Sequence, residues 1–144
     1  MKTTSILKTT IAALFLMVAG GTISFAQCDK TITLTSSKTN HLDVNGNVER
    51  TKDENAVITI TSTDITIVPG DEEHKMTGKI TSKTCDWKVP FKEGKTVIKS
   101  IVSGDGSDDK DITVTIEGKA GKVTLTFEAV GMNKKIQVVA DKFE

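Results

Sequence analysis

The chain has 144 residues with 19 basic and 19 acidic side chains, a balance that gives no electrostatic case for nucleic-acid binding. Hydrophobic residues make up 37% of it and aromatic residues only 4%, with no tyrosine, which disfavours a sugar-binding surface built from stacking platforms. The length suits one domain with one core and is short for two.

Residues 1–26 contain Lys2 and Lys8, no acid, the apolar run IAALFLMVA at 11–19 and the small-residue exit Ser24-Phe25-Ala26. A positive start, an apolar run of this size and an A-x-A-like site describe a secretory signal peptide. A membrane-spanning helix needs about 20 predominantly apolar residues, and Gly20, Gly21, Thr22 and Ser24 interrupt this one. The expectation is an exported protein, periplasmic or extracellular, with no stable transmembrane span after cleavage. Its mature form is a single domain over 27–144. Loss of Lys2 and Lys8 leaves that domain two charges negative.

Cys28 follows Gln27, where a bacterial lipoprotein would have a small residue, so a lipid anchor is disfavoured. The only other cysteine is Cys85. An even count in an oxidising compartment points to a bridge, and a Cys28–Cys85 disulfide is expected; a redox role would be better served by a C-x-x-C, which is missing.

From residue 30 onward the chain reads as strands. Threonine occupies 17 positions after residue 26, and its stiff, branched side chain suits the wet face of a pleated sheet. Ile32 and Leu34 alternate with threonines. In LDVNGNVER, Asn45-Gly46 is a strong hairpin signal. Ile58 and Ile60, then Ile65 and Ile67, flank TSTD, and VPGD supplies turn chemistry. Met76 and Ile80 fall on even positions, whereas Cys85, Trp87 and Val89 fall on odd ones, which predicts a bulge or break near 82–84. TVIKSIVS at 96–103 is a further strand. The clearest unit is DITVTIEGKAGKVTLTFEAVG: Ile112, Val114 and Ile116 alternate with polar residues, GKAG turns the chain, and Val123, Leu125, Phe127 and Ala129 repeat the pattern. KKIQVVA at 134–140 is the last strand.

Eight to ten short strands without interspersed helices predict an all-β fold, an antiparallel up-and-down meander forming a small barrel or a curved two-layer sheet. A Greek-key β-sandwich is the alternative. A signal peptide followed by such a meander, with a cysteine near the mature start, resembles the small lipocalin-like (calycin-type) proteins of the bacterial envelope. The resemblance is topological, spans the mature chain and implies a barrel.

Candidate sites are few. Asp105, Ser107, Asp109 and Asp111 alternate in SGDGSDDKD as hard-cation ligands would. Lys110 stands at the glycine position of an EF-hand loop and Ile116 at the bidentate acid, so a solvated hairpin loop is the plainer reading and no metal is expected. His41 and His74 lack zinc-site spacing and a nucleophile context. GKAGK lies between strands, not before a helix, and is no phosphate loop. No catalytic residues and no cofactor are expected.

Trp87, Val89, Phe91 and Phe127 are the candidates for lining an apolar ligand, with filling of the core the competing role for Trp87. An eight-stranded barrel can be filled by side chains or hold one small ligand. The expected function is therefore a non-enzymatic exported barrel that binds a small apolar molecule. The alternative is a structural or interaction module that meets another envelope protein through its surface.

Overall fold

The computed structural model describes residues 27–104, 106 and 108–144. The expected signal peptide at 1–26 lies outside the described residues, as do Asp105 and Ser107.

Among the described residues the chain forms β1 (Ile32–Leu42), β2 (Val48–Ile60), β3 (Asp64–Pro69), β4 (Met76–Val89), β5 (Glu93–Gly104), β6 (Lys110–Lys119), β7 (Lys122–Ala129), β8 (Lys135–Val139) and β9 (Lys142–Phe143). One turn of 3-10 helix, Glu72–His74, sits between β3 and β4. From β1 to β8 each strand pairs antiparallel with the next. β8 then returns to β1, with Thr39 opposite Val138 and Leu42 opposite Lys135. This closes an up-and-down barrel of eight strands and leaves no room for the Greek-key alternative, which needs neighbours distant in sequence.

The closing edge is shared. β9 pairs with β1 at Leu34 and Thr35, beyond the stretch taken by β8. A register shift in β1 between Ser36 and Lys38 bends the strand at the junction, and Asp141 fills the gap by accepting the Ser37 backbone N–H at 2.6 Å. Closure of this kind removes the exposed edges that make open sheets sticky.

Alternation decides what is inside. Leu34, Ile58, Ile60, Ile65, Ile98, Val102, Val114 and Ile116 are all buried to 2% exposure or less, and each occupies the inward parity of its strand. The GKAG hairpin forms as expected: Lys119 pairs with Lys122, and Ala120 (φ 52°) and Gly121 (φ 77°) both take the left-handed backbone of a type I′ turn. Alanine is poorly suited to positive φ. Ala120→Asn is therefore expected to stabilise the protein by about 0.5–1 kcal/mol, read as a higher thermal midpoint; a lowered midpoint contradicts the turn assignment.

Two local expectations change. The Asn45-Gly46 hairpin exists, but its loop spans 43–47 instead of two residues, because the Asp43 carboxylate collects the backbone N–H groups of Asn45 and Asn47 at 2.8 Å each and Asp43 N–H bonds to the Asn47 carbonyl. A side chain that mimics a turn in this way outcompetes the tighter one. In β4 the expected bulge lies between Ile80 and Ser82, and a second lies between Trp87 and Val89. The second turns Val89 outward, where it is 43% exposed, so Val89 does not share the inward face of Cys85 and Trp87.

Candidate functional site

Consecutive antiparallel pairing gives the barrel two unlike ends. Turns after β2, β4, β6 and β8 gather at one, and loops after β1, β3, β5 and β7 at the other.

The first end is plugged. Trp87 is buried there, its Nε1–H donating to Thr96 Oγ1 at 2.7 Å, and Thr96 Oγ1–H in turn reaches Cys85 Sγ at 3.4 Å. Its indole has space because it crosses a pair of glycines: Gly94 pairs with both Trp87 and Gly118, and a Cβ on either glycine would meet an indole carbon at 2.7 Å. Phe143 packs against Trp87 with ring centroids 5.8 Å apart, and Phe91 meets Phe143 edge-on at 5.1 Å. The disulfide joins Cys28 to Cys85 here, with Cα atoms 6.0 Å apart.

Phe91 holds φ at 60°, at the third position of a turn closed by Lys92 N–H to the Val89 carbonyl. Glycine usually takes that place. The contact with Phe143 and a hydrogen bond from Phe91 N–H to Gln27 Oε1 at 2.9 Å hold the conformation.

The second end is hollow. A cavity of about 600 Å³ opens between the loops there, and its floor is apolar: Ile58, Ile67, Met76, Leu125, Phe127 and Val138. Its upper wall is polar because the inward rows change character along each strand. On β2 one parity runs Arg50, Lys52, Glu54, Ala56, Ile58, Ile60, charged at the mouth and aliphatic below. On β1, His41 lies opposite Arg50 and Thr39 opposite Lys52. On β6, Lys110 begins the row that continues through Ile112 and Val114.

Most of these charges are matched. Lys52 Nζ meets Glu54 at 2.6 Å, and this hydrogen bond holds the Glu54 carboxyl below the usual range despite the opposing effect of burial, with smaller help from Thr39 and His41. Asp71 accepts from His74 Nδ1 at 2.6 Å and from the His74 backbone N–H. That contact raises the imidazole pKa and lowers the carboxyl pKa. Arg50 Nη2 donates to His41 Nε2 at 3.2 Å.

Of the four side chains expected around a ligand, Phe127 lines this cavity. Trp87 and Phe91 belong to the plug at the other end, and Val89 faces outward. His41 and His74, which the sequence offers as neither zinc ligands nor catalytic bases, stand at the cavity mouth with Arg50, Lys52 and Glu54. The signal that would have found Arg50, Lys52 and Glu54 is the parity of Ile58 and Ile60 continued upstream into the polar half of β2. Asp109 and Asp111 are exposed near the β5–β6 loop. Among the described residues no three His, Cys, Asp or Glu side chains gather as a metal-ligand set. Among them, too, no helix is long and apolar enough to cross a membrane.

No family model, no curated protein and no solved structure matches this chain.

Proposed function

We propose that the protein is a non-enzymatic binder of a small apolar molecule, a lipocalin-like barrel exported to the periplasm or beyond the cell. The observation that carries this reading is the cavity: about 600 Å³ with a floor of aliphatic side chains and Phe127, inside the range of about 300–1,000 Å³ typical of small-molecule sites. Apolar surface left open to solvent costs free energy that an apolar ligand recovers. The plug of Trp87, Phe91 and Phe143 supports the reading by closing the far end, so that the hollow is a cup and not a channel.

Protein recovered without detergent is expected to carry a small adduct in native mass spectrometry. Ala56 is buried and lines the cavity, so Ala56→Phe should place a ring in the hollow. It is expected to lower affinity for an apolar probe at least about tenfold while the circular dichroism spectrum stays that of the parent. A clean apo mass together with unchanged probe binding by Ala56→Phe defeats the proposal.

One observation favours a second reading, a surface that meets another envelope protein. Val44, Val48, Val130 and Met132 are all exposed on or beside the loops of the open end, Val130 at 80%. Crosslinking in cells should then recover one macromolecule, and Val130→Asp should release it.

A further inference from the structure

The cavity mouth contains more positive charge than its own carboxylates neutralise. Glu54 is taken by Lys52 and Asp71 by His74. Among the described residues, Arg50 and Lys110 have no carboxylate within ion-pair distance, yet both line the cavity. The Arg50 guanidinium is steadied by His41, which occupies one of its five donors and leaves the rest for another acceptor.

A second observation concerns a hydroxyl on the same wall. Thr39 lines the same cavity, is 3% exposed, and its Oγ1 has no hydrogen-bond partner. It stands close enough to Glu54 to favour the anion without reaching hydrogen-bond geometry. A buried hydroxyl left unpaired is destabilising, and this one sits on the wall where β1 and β2 bring His41 and Arg50 together two residues further along. Hydroxyl and guanidinium are both donors suited to an oxyanion.

The outer surface around the opening carries both signs of charge. Glu72, Glu73, Asp108 and Asp109 are exposed on the loops around the opening, and at physiological salt such charges act over about 8 Å. Lys75, which pairs with Glu72, and Lys134, which pairs with Glu49, are exposed at the same end, so the rim is of mixed sign and the unpaired cations are those that line the cavity.

Resting on the apolar-cavity reading, we infer that the ligand is a single-chain amphiphile whose anionic head, a carboxylate or a phosphate monoester, is held by Arg50, Lys110 and the Thr39 hydroxyl, with its chain on the Ile58, Ile67, Leu125 and Phe127 floor. Titration calorimetry below the micellar concentration, on the full mature chain, compares dodecanoate, dodecyl phosphate, dodecanol and dodecylamine. One of the two anions is expected to bind at least about tenfold tighter than dodecanol, with an advantage that shrinks as salt rises. The tighter of the two identifies the head group.

Arg50→Gln with Lys110→Gln is expected to abolish that advantage, the anion then binding no tighter than dodecanol, while the circular dichroism spectrum stays that of the parent because both positions are on the mouth and outside the core. Thr39→Val tests the hydroxyl in the same way. Equal affinity for anion and alcohol, or a preference for dodecylamine, overturns the head-group assignment and leaves the apolar cavity standing. Failure of every chain to bind overturns both.

Discussion

Replacing Cys28 and Cys85 together by alanine is expected to lower the stability of the protein by about 4 kcal/mol, the value that chain-entropy reasoning gives for a closed loop of this length. The bridge spans a sequence separation of 57 and ties the segment before β1 to β4 beside the Trp87 plug. Little else fixes that segment there. Lys83 Nζ donates to the Cys28 carbonyl, and burial lowers the Lys83 pKa, with Asp29 opposing; Gln27 Oε1 accepts from Phe91 N–H. Neither contact closes a loop covalently. For a domain of this size the loss corresponds to a fall in thermal midpoint of roughly 15–20 °C. The measurement is urea unfolding of the double variant followed by circular dichroism. A loss below about 1 kcal/mol would mean that the unfolded chain is already compact across this loop, and the account of the bridge as the main restraint on the N-terminal segment would fall.

The sequence was most legible where both faces of a strand had settled environments. Ile112, Val114 and Ile116 face the core while Thr113 and Thr115 face water, so period two is plain, and the β6–β7 hairpin follows from it. Strand order was legible for a related reason: short turns leave each strand little choice but its neighbour. The mouth was hidden because period two is read from contrast, and the upper half of β2 has none. Arg50, Lys52 and Glu54 face the cavity, yet they are as polar as Thr51 and Asp53 on the other side. A wet interior therefore looks like a loop in a one-dimensional reading.

The plug was hidden differently. It is made by pairing across strands, and no local pattern reports that Gly94 and Gly118 lie beneath Trp87 or that Phe143 reaches it from β9. Trp87 was singled out for its chemistry, and its parity was right. Only closure of the barrel shows that this parity places it at the end opposite the hollow.

That separation of the two ends makes Trp87 the sharper test. Trp87→Ala removes a buried indole from a seat of two glycines and the Phe143 ring, and is expected to cost about 3–5 kcal/mol. The backbone beneath cannot collapse into the gap, since Gly94 and Gly118 have no side chains to move into it. Trp87→Phe is expected to cost less, about 1–3 kcal/mol, because a ring remains while the buried Thr96 hydroxyl loses the Nε1–H donor. Adding Thr96→Val to Trp87→Phe should recover part of that loss, since the hydroxyl left with only its weak contact to Cys85 Sγ is then gone; a double-mutant cycle measures the coupling. Ligand affinity provides the complementary readout. Trp87 and Thr96 are outside the cavity lining, so the folded Trp87→Phe protein should bind dodecanoate as the parent does. Lost affinity with unchanged stability would place Trp87 against the ligand and would join the two ends of the barrel that the geometry keeps apart.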